Sequence, residues 1–183
     1  MTWIIVLIVV ALVVLWAIAA YNGLVRSRNQ VDNAWSQIDV QLKRRIDLVP
    51  NLVETVKGYA AHEKQTLEAV IAARNAAMAA PADPHAQANA DNVLSGALRQ
   101  LFALSEAYPD LKANQNFLQL QEELTATEGR VAYARQFYND SVLGYNNRLQ
   151  SFPTLLVARL GNFQPREFFE ADAADRAVPK VQF

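Results

Sequence analysis

Residues 3–20 read WIIVLIVVALVVLWAIAA, without one charged or strongly polar side chain. No other stretch constrains folding as much, because a helix apolar on every side has no face to turn to water. At ~1.5 Å per residue, a helix from Met1 to Tyr21 reaches the ~30 Å of a bilayer hydrocarbon core. Trp3 stands near one end, with Trp16 and Tyr21 near the other, where amphipathic rings favour the headgroup level. The run therefore predicts a transmembrane helix over residues 1–21. A cleaved secretory signal is the main alternative, since Ala17–Ile18–Ala19 offers an A-x-A-like site. Against it, the apolar run exceeds a usual signal core and no Lys or Arg precedes it.

Charge asymmetry predicts orientation. Arg26 and Arg28 follow the run closely and Lys43–Arg44–Arg45 lie further on. The positive-inside rule then leaves a short N-terminus outside and everything after Tyr21 in the cytoplasm. The absence of cysteine fits a reducing compartment. Arg26 and Arg28 are expected to contact lipid headgroups together with Trp3, Trp16 and Tyr21. The 43–45 cluster sits ~30 Å past Tyr21 along a straight helix, beyond the Debye length, and is expected to be a solvated face.

Beyond the anchor, apolar or small residues recur in steps of three and four: Val31, Trp35, Ile38, Leu42, Ile46, Val49, Val53, Val56, Ala60, and onward through Leu67 and Val70. That period marks the buried face of an amphipathic helix and approaches the coiled-coil repeat. Pro50 falls inside the stripe. The phase survives the proline and the flanking DLVPNLV lacks turn chemistry, which favours one long helix bent there. Two helices meeting at a corner is the alternative, with Pro50 in a first turn. The first clear break is expected at APADPHAQANAD, residues 80–91, read as an exposed loop before a helix capped by Asn92 or Ser95. That helix carries Leu94, Leu98, Leu101, Phe102 and Leu104 and stops at Tyr108–Pro109.

A second long stripe starts near Asn114–Asn116: Phe117, Leu120, Leu124, Val131, Ala134, Tyr138, Val142, Tyr145 and Leu149, with Thr127 interrupting it, expected to bond its own backbone. Pro153 ends it, and TLLVARL makes a short helix stopping at Gly161. The prediction is all-α: an N-terminal transmembrane helix, then an antiparallel three- or four-helix bundle. The expected divisions are 1–21, 22–152 and 153–183.

Chemistry has few footholds. His62 and His85 are the only histidines, and HEKQT lacks the second histidine of a zinc-binding H-E-x-x-H. No Glu-x-x-His pair of the di-iron type occurs, no cysteine offers a thiolate, and no glycine-rich phosphate loop appears. The expectation is no enzyme, no metal and no cofactor. YPDLKANQNF is read as an amide-rich connection that caps helix ends. The tail is expected to be a loose chain end, with the β-prone Val178, Pro179, Val181 and Phe183 as the alternative, a peptide docking on a partner's sheet edge.

The blocks RSRNQVDNAWSQIDVQLKRRIDLVPNLVETVKGYAAHEKQTLEAVIAAR, YPDLKANQNFLQLQEELTATEGRVAYARQFYND, YNNRLQSFP and NFQPREFFE closely resemble the LemA family of bacterial, MamQ-like proteins over nearly the whole chain. The resemblance implies a membrane-anchored helical domain with no established enzymatic activity and no catalytic residues to carry over. It also implies residence in the bacterial inner membrane and a part in envelope or membrane organisation. Two roles are expected. One is a non-enzymatic scaffold that forms homo-oligomers through its helical faces, helped by the small pair Ala19 and Gly23. The other is an adaptor that presents membrane proteins or a protease substrate through its C-terminal tail; a membrane or envelope protein is the partner expected. Nucleic acid is not an expected partner.

Overall fold

The computed structural model describes residues 1–170, and the chain is all-α, with no strand among the described residues. Six helices follow in order: α1 Thr2–Lys57, α2 Lys64–Ala79, α3 Pro84–Ser105, α4 Pro109–Lys112, α5 Gln115–Gln150 and α6 Thr154–Leu160.

Within α1 the outer end is exposed on all sides, and the first buried position is Leu24. From there one face sinks into protein at Leu24, Ser27, Val31, Ala34, Ile38, Leu42, Arg45, Val49, Leu52 and Val56, in steps of three and four. The predicted stripe is buried at Val31, Ile38, Leu42, Val49, Val53 and Val56, with two changes: Ala34 and Arg45 take the seam, and Trp35 and Ile46 are half-buried beside it. The α5 stripe is buried as predicted from Phe117 to Leu149, apart from a half-buried Leu120. Thr127 bonds its own helix, its Oγ1 donating to the Glu123 carbonyl at 2.7 Å.

Pro50 does not divide α1. It lies on the exposed side and the helix runs on to Lys57. Having no N–H, it leaves the carbonyl of Ile46 without its usual donor. Arg74 of α2 supplies a replacement, its Nε donating to the Ile46 carbonyl at 3.2 Å. A tertiary hydrogen bond thus offsets part of what a proline costs inside a helix.

Two expectations about breaks are corrected. The helix does not continue through Leu67; it ends at Lys57, and Leu67 and Val70 belong to α2. Gly58 weakens helical propensity there. Two side-chain bonds hold the turn: Asn114 Nδ2 donates to Tyr59 Oη at 2.9 Å, and Tyr108 Oη to Glu63 Oε1 at 2.8 Å. The apolar phase carries across this break because α2 faces the same core. Residues 80–91 are likewise not a loop. Only the stretch between Ala79 and Pro84 lies outside helices, and α3 starts at Pro84 with Asp83 as N-cap, accepting from the Ala86 N–H at 2.8 Å. Asn92 and Ser95 therefore lie inside α3 and cap nothing. Asn114 does cap, as expected of its amide-rich segment: Oδ1 accepts from the Phe117 N–H at 3.0 Å.

The helices contribute to two compact units. In the first, residues 1–36 and 136–167, α1 and α5 run antiparallel: Trp35 packs on Tyr138 with ring centres 5.5 Å apart, and Arg148 Nη1 donates to the Gly23 carbonyl at 3.4 Å. The segment after α6 is tied down along this pair. Asn146 Nδ2 donates to the Arg166 carbonyl, its Oδ1 accepts from the Arg166 N–H, Tyr138 Oη donates to the Glu167 carbonyl, and Arg166 pairs with Asp32 at 2.8 Å. In the second unit, residues 37–135 with 168–170, α2 packs on α3 around a core that includes Val49, Leu52, Val56, Val70, Leu98, Leu101, Leu111 and Phe117.

Candidate functional site

Among the described residues, α1 is the one helix long and apolar enough to cross a membrane, and its apolar window is 0% buried by protein. Trp3 is exposed at its outer end; Trp16 and Tyr21 are exposed where it meets the folded part. A residue that sequence reasoning did not single out organises the end that meets the folded part. The Phe163 ring takes the Tyr21 ring edge-on at 5.5 Å and carries the Arg28 guanidinium 5.6 Å from its centre. Phe163 reaches this position because α6 ends in a tight reversal. The Phe163 N–H bonds back to the Ala158 carbonyl at 3.0 Å, with Asn162 in the left-handed region at φ 51. Gly161 is needed for space: a Cβ there would stand 2.6 Å from the Phe163 ring. Arg26 instead donates from Nε to the Asn22 carbonyl at 3.3 Å, on its own helix. Nearby, burial raises the hydroxyl pKa of Tyr145, outweighing the opposing pull of Arg166 and Arg28.

The second unit holds an open groove of about 440 Å³ beside α1, at the end of α2 and the start of α3. Asp39, Lys43 and Asp47 follow one another at single turns of α1 along it, while Leu42, Ile46 and Met78 give it apolar walls. Lys43 bonds Asp39 at 2.7 Å, and that bond, with the attraction behind it, raises the Lys43 pKa. Leu42, Ile46, Ala77 and Gln87 also line a cavity of about 10 Å³ that reaches Asp91, room for about one water.

Behind that cavity the basic cluster at 43–45 resolves into unlike parts. Lys43 and Arg44 are exposed, as expected of a solvated face, but the Arg45 side chain is only 3% exposed. Arg45 Nη1 donates to Asp91 Oδ1 at 2.7 Å, Nη2 lies 3.9 Å from Glu128, and its buried Nε has no protein partner. Asp91 is nearly as enclosed, and desolvation raises its pKa although Arg45 pulls the other way. The signal for this pair was present in the spacing, since Arg45 keeps step with Ile38, Leu42 and Val49, and Asp91 with Leu94 and Leu98. One carboxylate fixed to one guanidinium is the chemistry of a structural ion pair.

Against known sequences, the model of the LemA family matches residues 34–183. This chain belongs to the LemA family. Protein LemA of Metamycoplasma hominis is 26% identical over 155 residues, covering 85% of this LemA-family chain and 71% of the relative. Magnetosome protein MamQ of Magnetospirillum gryphiswaldense is 24% identical over 184 residues, covering 86% and 68% respectively. Magnetosome protein MamQ 2 of Paramagnetospirillum magneticum is 25% identical over 180 residues, covering 84% and 66%. The chain is accordingly a membrane-associated member of the LemA family, with the apolar end of α1 suited to a single-pass anchor. Of the residues expected to matter, Tyr21 and Arg28 meet on Phe163, whereas Trp3 and Trp16 stand apart from them along α1. Val178, Pro179, Val181 and Phe183 lie outside the described residues.

Proposed function

We propose that this protein is a non-enzymatic scaffold of the bacterial inner membrane, anchored once by α1, that assembles with copies of itself and gathers a membrane or envelope protein. The observation carrying this reading is the continuity of α1: one helix runs from a fully exposed apolar end into a face buried from Leu24 to Val56. Anchor and bundle share a single element, so the anchor's place in the membrane governs which folded surfaces are presented. The near-3.5 repeat on α1 and α5 suits helical assembly. The arginines near the inner end of the span fit a cytoplasmic bundle. That relatives include proteins named for the magnetosome accords with an organising role.

Mass measurement in mild detergent and in lipid nanodiscs tests the assembly. A defined oligomer persisting on dilution is the expected result, and a strictly monomeric species at working concentration overturns it.

A further inference from the structure

We propose that residues 152–160, the turn after α5 together with α6, form a second membrane contact that dips into the leaflet from which α1 emerges. The inference rests on α1 being the membrane span, and goes beyond it by assigning a lipid-facing role to a segment at the far end of the sequence.

Three observations within the first unit converge on it. The first is register. The pairing of Gly23 with Arg148 and of Trp35 with Tyr138 fixes α1 and α5 as antiparallel neighbours. Carried on past Gln150, the same register brings Phe152 level with about Ala20, the last residue of the apolar run. The contact of Phe163 with Tyr21 returns the chain to that same level after α6. Along α1 the first residues that pass from exposed to half-buried are Ala17 and Ala20.

The second is exposure. Phe152 is 80%, Leu156 52% and Leu160 90% exposed, spaced four apart, while Val157 and Ala158 face inward. Scattered single apolar residues on a surface need no explanation; three large ones in a row on a seven-residue helix and its lead-in do. At the level set by Tyr21 they lie where apolar side chains enter the acyl boundary.

The third is charge. The stretches 3–31 and 141–166 contain five arginines and no Asp or Glu. Arg166 is occupied by Asp32, but Arg26, Arg28, Arg148 and Arg159 form no ion pair with any described carboxylate. An apolar ridge on a stretch whose arginines lack ion-pair partners, beside an emerging span, matches the boundary of an anionic lipid leaflet. A second protein copy would cover the ridge but give no reason for four uncompensated cations at headgroup level.

The chain has no cysteine, so single cysteines can be placed one at a time in the full-length protein. Val10→Cys, Leu160→Cys and Gln136→Cys would each carry an environment-sensitive fluorophore, with one copy per nanodisc of mixed neutral and anionic phospholipid. Brominated acyl chains and aqueous iodide serve as quenchers. The proposal expects acyl-chain quenching at least threefold greater at 160 than at 136, approaching that at 10. Quenching at 10 with an aqueous signal at 160 overturns this proposal and leaves the anchor standing. An aqueous signal at 10 overturns the anchor, and this proposal with it. A label at 160 shielded from iodide but untouched by brominated lipid means that protein covers the ridge, which also overturns it. Leu160 is almost wholly exposed, so its replacement leaves the fold intact, as circular dichroism would verify.

Discussion

Arg45 occupies a position that the helical period reserves for an apolar side chain, and Asp91 sits opposite it at the equivalent step of α3. Two charges removed from water lose hydration that their mutual attraction only partly restores, and the cost becomes severe when one partner is deleted. Asp91→Asn keeps the shape and an acceptor for Arg45 Nη1 and should cost little, whereas Asp91→Ala removes the bond and leaves Arg45 with Glu128 alone, 3.9 Å away and largely solvated. For Asp91→Ala a loss of about 3–5 kcal/mol is expected from urea unfolding of the full chain in detergent. Replacing both partners by apolar residues, Arg45→Met with Asp91→Leu, should recover most of that loss or exceed it. The same site predicts a pH effect. Desolvation holds the Asp91 carboxyl above its ordinary 3.8, so the folded state binds this proton more tightly than the unfolded chain does. Its contribution to stability is therefore greatest below 3.8 and declines as pH rises through the window between that value and the raised one. Asp91→Asn should remove this component of the slope, measured as urea midpoints between about pH 3.5 and 6.

Helices end and continue in this protein where particular side chains allow it, and Pro50 inside α1 offers the sharpest case. The proline strips the Ile46 carbonyl of a helical donor and Arg74 restores one from α2. Arg74→Ala should cost about 1–3 kcal/mol by leaving a half-buried carbonyl without that bond. In a Pro50→Ala background, where the backbone N–H returns, the same Arg74→Ala change should cost at least about 1 kcal/mol less. Equal costs in both backgrounds would separate the arginine from the proline. At α3, Asp83→Ala removes an N-cap bond and should cost about 1 kcal/mol, read from thermal or urea unfolding. The sequence made the buried faces of α1 and α5 legible because each repeats in threes and fours over many turns, and it made Pro50 legible because the phase crosses it. It concealed the break at 58–63, where the same phase resumes in α2 on the far side. It concealed the start of α3 because the alanines after Pro84 show no period, although Asp83–Pro84 is a helix-start signal by itself. The site was legible only in part: aromatic and basic residue types located Tyr21 and Arg28, while their partner Phe163, more than a hundred residues away, depends on tertiary pairing that no local pattern encodes.

On the scale of the molecule, charge placement and not total charge carries the functional argument. The chain is nearly neutral at a formal net charge of −1, yet the stretches 3–31 and 141–166 carry five arginines and no Asp or Glu. During insertion, orientation responds to basic residues flanking the span in sequence, which here include Arg26 and Arg28. Arg148 and Arg159 lie far from the span in sequence, outside the flanks that this bias counts, although they come to lie near the same end of it. Replacing Arg26 and Arg28 by Gln should therefore give a mixed population of orientations, and adding two lysines ahead of Trp3 as well should invert most of it. Gln136→Cys reports the outcome in sealed cells through a membrane-impermeant maleimide: little labelling in the parent, a clear rise with the two glutamines, and majority labelling with the added lysines. Strong labelling of the parent would place the bundle on the outer face and remove the cytoplasmic reading. Unchanged protection in both variants would instead mean that orientation follows from folding of the bundle on one side, independently of the flanking arginines.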